Sequence, residues 1–251
     1  MYPVDDFDKS NANSDRPAST KVSCGRIPRS HSLPVKATNP NVIEPNEDAS
    51  EKTLPIGLMN YNGWRAGART GSDPAIYQTY IETMGRFVNS LLDRGYRVRL
   101  LTGETVDMRA VRDIGRIAMA SGYQLIDGIL PPPKGQQLVT EPINSLHDVM
   151  RQISDTDIVV ATRFHNVVCA LKLARPTISI GYEFKNDAVM TDLGLGEFCQ
   201  KVDDLDLELL QKHFTELLEN REHYQTIIRK RLDDVRSRVR RHEQELLSKI
   251  L

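Results

Sequence analysis

Residues 157–180 limit the folds open to this chain more than any other stretch. Ile158, Val159 and Val160 make a short β-branched run between Asp157 and Thr162, as in a strand buried on both faces. Val167, Val168, Ala170, Leu171 and Ala174 then recur at helical spacing, and Thr177 to Ile180 reads as a second buried strand. Strand, helix and strand in this order imply a parallel sheet with a right-handed crossover. Arg163 and His165 fall where the first strand hands over to the helix. In an open α/β sheet that carboxyl edge is where ligands bind. Unpaired N–H groups and the dipole at the helix start attract anions. Arg163 adds a planar fork for carboxylate or phosphate, and His165 a group that moves a proton near neutral pH. A lone Arg or His at a strand end is also a common surface or capping residue, so the pair alone does not decide for function.

The preceding residues repeat the pattern. Residues 56–61 read as a first strand, followed by a glycine-rich loop over 62–73. Pro74 suits a helix's first turn with Asp73 as cap, and Gly95 its end. A strand over 96–101, a helix over 107–120, a short strand over 123–126 and a helix over 145–153 follow, with Pro131, Pro132 and Pro133 marking a loop. Residues 206–218 and 221–251 read as two further helices, the second long and carrying Ile228, Leu232, Val235, Val239, Leu246 and Ile250 on one face. Residues 1–52, rich in Ser, Asn, Pro and Asp, are expected to be a disordered tail, and the basic stretch 26–32 a solvated linker within it. The expected division is thus a tail over 1–52, a Rossmann-like α/β domain over 54–218 and a long C-terminal helix over 219–251.

Composition narrows the function classes. With 33 basic and 34 acidic residues the net charge is −1, which offers no global attraction to nucleic acid, and the alternating charges of the last helix read as a solvated face. Cys24, Cys169 and Cys199 are too few and too scattered for a disulfide framework or a zinc site; the last two read as buried thiols. No acidic cluster has metal-ligand spacing, so no metal is expected. No apolar run approaches membrane-spanning length, and the N-terminus lacks a signal-peptide core, so a cytoplasmic location is expected.

The block 161–195 resembles the polysaccharide pyruvyl transferase family. The pieces that carry the resemblance are Thr162-Arg163-Phe164-His165, the helix exit from Ala170 to Pro176, Ile180-Gly-Tyr-Glu-Phe-Lys185 and Met190-Thr-Asp-Leu-Gly-Leu195. Members of that family resemble GT-B glycosyltransferases, with two Rossmann-like domains around a cleft. The resemblance covers about 54–218 and corresponds to the C-terminal domain, a single GT-B-type half; the first fifty residues show no counterpart of the family's first domain. It implies a transferase that moves the enolpyruvyl unit of phosphoenolpyruvate onto a sugar hydroxyl, forming a pyruvate ketal in exopolysaccharide biosynthesis. Phosphoenolpyruvate is then the donor substrate, and no cofactor is implied.

Carried over position by position, Arg163 and His165 would be the catalytic pair. The arginine would hold carboxylate or phosphate, and the histidine, as general acid, would protonate the vinyl carbon. Tyr182 and Lys185 would be substrate-binding, as would Asn62 and Arg65 on the glycine-rich loop, which could act as a lid. That loop matches neither a dinucleotide fingerprint nor a P-loop. Arg175 departs from the glycine usual before the proline. The expected partners are phosphoenolpyruvate and a saccharide or lipid-linked oligosaccharide acceptor, not nucleic acid. A homo-oligomer or a partner chain through the last helix is also expected, as is a place peripheral to the inner face of the membrane. Two other readings remain open: a GT-B glycosyltransferase using a nucleotide sugar, and an inactive fragment or interaction module.

Overall fold

A computed structural model describes residues 53–61, 74–128 and 137–250. The expected tail over 1–52, the glycine-rich loop with Asn62 and Arg65, the Asp73 cap and the triple-proline loop lie outside the described residues.

Seven parallel strands form one sheet. In chain order they are β1 (Thr53–Gly57), β2 (Arg97–Leu101), β3 (Leu125–Asp127), β4 (Leu138–Thr140), β5 (Val159–Ala161), β6 (Thr177–Gly181) and β7 (Cys199–Lys201). Across the sheet the order is β3-β4-β2-β1-β5-β6-β7. From β1 in the middle the chain winds to one edge through α1 (Pro74–Asp93) and α2 (Met108–Ala120), and then returns. From there α3 (Leu146–Ile153), α4 (Phe164–Lys172) and α5 (Phe184–Asp192) carry it to the other edge. Helix α6 (Leu207–Glu219) packs back on α1, and α7 (Arg221–Ile250) leaves from its end. This is the doubly wound, Rossmann-like arrangement expected from the sequence, with helices flanking a parallel sheet.

The core follows from the patterning. β1 and β6 are buried at every residue, as a sheet covered on both faces requires. α1 turns Tyr80, Met84, Phe87, Val88 and Leu91 inward, and the rings of Phe87 and Tyr96 meet Phe214 of α6 edge-on at 5.9 and 5.8 Å. Ser145 caps α3 and Asp206 caps α6, each accepting a backbone N–H three residues on. Gly95 takes φ 83° just past α1, where a side chain would be strained. At the end of α4 the left-handed residue is Ala174, φ 54°, while Arg175 sends its N–H to Ala170 O at 2.9 Å. The departure from glycine at Arg175 therefore does not fall on the strained position.

Three sequence readings shift. The first strand is Thr53–Gly57 and not 56–61, because its partners β2 and β5 end opposite Gly57. Leu58 to Tyr61 instead run off the sheet edge, held by Leu58 N to Leu101 O and Met59 N to the Tyr80 hydroxyl. β4 and β7, three residues each, are too short to show alternation in sequence. Cys169 is buried, but Cys199 is only half-buried.

Candidate functional site

The strand order reverses between β1 and β5, and a crevice opens outside their carboxyl ends there. Leu58 to Tyr61 leave β1 on one side. Thr162 leaves β5 on the other and leads directly into α4. Arg163 is the residue before α4, in extended conformation (φ −76°, ψ 133°), and its carbonyl accepts the first α4 hydrogen bonds from Asn166 and Val167. The Tyr80 hydroxyl ties the two exits together: it bonds Thr162 Oγ1 at 2.9 Å and accepts Met59 N–H at 3.3 Å.

Arg163 does not stand free. Its guanidinium forks onto Asp107, Nε to Oδ2 at 2.9 Å and Nη2 to Oδ1 at 2.7 Å. Glu104 accepts from Nη1 at 3.1 Å and Nη2 at 3.4 Å. Asp107 is fully buried and also accepts backbone N–H groups from Asn60, Gly103 and Glu104. It thereby fixes the turn after β2, the exit of β1 and the arginine in one network. Gly103 makes room for this, since a Cβ there would sit 2.8 Å from Arg163 Cγ. Burial works against the charge on Arg163, but Asp107, and Glu104 beyond it, hold its proton affinity above the ordinary arginine value. Sequence reasoning missed Asp107 and Glu104, taking the first only as a helix start. The available signal was an acid pair just past a strand and glycine, at the edge where Arg163 also had to lie.

The predicted residues divide between two neighbouring cavities that share Glu104. One, of about 410 Å³, is lined by Arg163 and Tyr182 with Met59, Asn60, Tyr61 and Glu183. The Tyr61 and Tyr182 rings pack 5.6 Å apart in it. The other, of about 510 Å³, is lined by His165 and Asn166 with Thr105, Asn144, Ser145 and Leu146. His165 is exposed. Asn166 is fully buried, and neither polar atom of its side chain has a partner among the described residues. Lys185 sits at the rim in the first turn of α5. Its Nζ lies 3.0 Å from Glu183 Oε2, 5.3 Å from the Phe164 ring centroid and 5.8 Å from that of Tyr182. The Glu183 contact raises its pKa. Arg163, Tyr182 and Lys185 are thus grouped, and His165 faces the adjoining space. Asn62, next to Tyr61 in sequence, and Arg65, four residues past it, lie outside the described residues. No group of three or more His, Cys, Asp or Glu suited to a metal ion occurs among the described residues, nor does a helix long and apolar enough to cross a membrane.

Fold and site together define a Rossmann-like domain with a polar, arginine-bearing crevice at its topological switch point. The family profile described as polysaccharide pyruvyl transferase matches residues 41–183, more than half of the chain, and the protein belongs to that family. It is 26% identical over 160 residues to the amylovoran biosynthesis protein AmsJ of Erwinia amylovora, a match that covers 64% of this chain and 36% of that protein. The chain therefore spans about a third of that relative's length. Among solved structures it is similar to UDP-GlcNAc 2-epimerase from Neisseria meningitidis, with a TM-score of 0.46 and 14% identity over 73% of this chain and 40% of the other. It is also similar to the heptosyltransferase WaaC of E. coli, with a TM-score of 0.40 and 18% identity over 69% and 46%. The fold assignment rests on the sheet order itself.

Proposed function

We propose that this chain carries the donor site of a polysaccharide pyruvyl transferase and serves polysaccharide biosynthesis by transferring pyruvyl groups from phosphoenolpyruvate to a saccharide acceptor. The observation that carries the reading is the switch-point pair: Arg163 aimed by a buried carboxylate, and His165 two residues on in the adjoining cavity. Family membership and the AmsJ likeness support the same reading.

In this mechanism Asp107 keeps Nε and Nη2 of Arg163, and the exposed Glu104 gives way to an anionic group of phosphoenolpyruvate at Nη1. Exchange of one exposed carboxylate for another costs little, because a solvent-facing ion pair is worth at most about 1 kcal/mol. His165 donates a proton to the vinyl carbon, which becomes a methyl group, and the adjacent carbon gains oxocarbenium character. A sugar hydroxyl adds to that carbon and gives its proton back to the imidazole of His165. Phosphate departs as a second hydroxyl adds, taking up the second hydroxyl proton, and a ketal results. Tyr182, half-buried and backed by the buried Tyr61 ring, offers a ring face to the sugar or the enol.

Charge bookkeeping adds a requirement. Arg163 and Lys185 are each already faced by carboxylates of the same chain. A ligand with both carboxylate and phosphate needs further cations, and Arg65, four residues past Tyr61 in sequence, would supply one. The acceptor would be a saccharide, free or lipid-linked, in the open part of the crevice.

The test is calorimetric titration of the folded chain with phosphoenolpyruvate, beside Arg163→Ala and His165→Ala. Binding that Arg163→Ala abolishes and His165→Ala largely keeps is expected. Absence of binding at millimolar ligand by a folded chain would sink the donor-site reading. Binding of nucleotide sugars in its place would favour the glycosyltransferase alternative.

A further inference from the structure

Helix α7 is anchored only at its base among the described residues. Tyr224 and Ile228 are buried, the Tyr224 ring meets Phe198 at 5.0 Å, and Arg231 Nη1 lies 3.5 Å from Asp192 O. Beyond Leu232 the described residues are exposed, apart from a half-buried Val235. The apolar pattern nevertheless runs on. Ile228, Leu232, Val235, Val239, His242 and Leu246 step alternately by four and three, the spacing of a coiled-coil seam. Val239 is 51% exposed and Leu246 59%. A helix held by packing only at one end has no intrinsic reason to keep a seam over its free end.

We propose that the free half of α7 pairs antiparallel with the same segment of a second copy of this chain. The charges beside the seam select that occupant. Arg236 and Arg238 flank the stretch from Val235 to Val239, and Glu243 and Glu245 flank that from His242 to Leu246. A twofold axis passing between Arg240 and Arg241 sets Val239 against His242 of the other copy, and Val235 against its Leu246. The same rotation brings Arg236 beside Glu243 and Arg238 beside Glu245. Each pairing occurs twice by symmetry, without a like-charge contact among them. A parallel alignment keeps Arg238 beside Glu243 but sets Arg231 against Arg236, which is repulsive. Arg238, Glu243 and Glu245 make no ion pair among the described residues, and the Arg236–Asp233 pair, 3.1 Å apart and exposed, exchanges readily. His242 lies in the seam, where a polar residue helps set register at some expense of stability. The stretch from Val235 to Leu246 is about 18 Å long, so the dimer is weak, with a dissociation constant of roughly micromolar order.

Sedimentation equilibrium of the full chain across micromolar concentrations tests this. A reversible monomer–dimer equilibrium is expected, weakened about tenfold or more by Val239→Glu. The double variant Arg236→Glu, Arg238→Glu loses self-association and regains a dimer when mixed with Glu243→Arg, Glu245→Arg. Oxidising a mixture of Val235→Cys and Leu246→Cys chains reports orientation. Antiparallel pairing links one variant to the other at these positions by peptide mapping, and parallel pairing links each to itself. The substituted residues are exposed or half-buried, and circular dichroism checks that each variant is folded. A monomer throughout, a dimer indifferent to both Val239→Glu and charge reversal, or self-linked products would each overturn the proposal.

Discussion

Asp107 and Arg163, 56 positions apart in sequence, meet as a two-bonded fork at the mouth of the switch-point crevice, with Asp107 fully buried and the Arg163 side chain 16% exposed. The pair fastens the turn after β2 to the exit of β5. Asp107→Ala would leave the guanidinium without its main partner and three backbone N–H groups without their acceptor. Removing one member of a buried, hydrogen-bonded pair costs about 3 kcal/mol or more. Urea denaturation should show that loss, and a variant as stable as the parent would mean that the network relaxes onto water.

Glu104 holds the same arginine from the solvent side, with its own side chain 61% exposed. Glu104→Gln is expected to change stability by under about 1 kcal/mol. It should also tighten phosphoenolpyruvate binding severalfold in calorimetry, because the ligand no longer displaces a carboxylate. Weaker binding would show that Glu104 helps to bind the ligand directly.

Tyr80 links the two strand exits from within the core, and burial raises its phenol pKa from 10.0 to about 12. The folded value lies above the unfolded one. Its contribution to stability is therefore complete below about pH 10 and is lost as pH rises towards 12. Thermal midpoints should fall across that window, and less steeply in Tyr80→Phe. At neutral pH the same variant, leaving Thr162 Oγ1 and Met59 N without their partner, should lose about 1–2 kcal/mol. Equal alkaline slopes for parent and variant would assign the fall to other groups.

Gly57 ends β1 directly below α4. A Cβ there would lie 2.7 Å from Asn166 Nδ2 and 3.3 Å from Ala161 Cα. Gly57→Ala is expected to destabilise the protein by about 1–3 kcal/mol. Adding Asn166→Ala should recover part of that, since the nearer clash is with an amide that has no partner among the described residues. A double-variant cycle in urea measures the coupling, and strict additivity would refute the contact.

Local pattern made much of this protein legible. The β-branched runs at Val159 and Ile178, the helical spacing of α1 and α4, the helix starts at Ser145 and Asp206 and the turn at Gly95 are encoded within a few residues of where they act. A parallel, doubly wound sheet follows from their succession, and Arg163 and His165 could be placed at its carboxyl edge because strand-to-helix turns lie there. Tertiary structure alone decided what Arg163 touches. Asp107 and Glu104 belong to another crossover and reach the arginine only because β2 and β5 flank β1, an order that no local signal states. That order also put His165 and Arg163 on two cavities and ended β1 at Gly57, where its neighbours end. The three-residue strands β4 and β7 exist for the same reason: they are held by their ladders to β2 and β6, so pairing, not propensity, defines them.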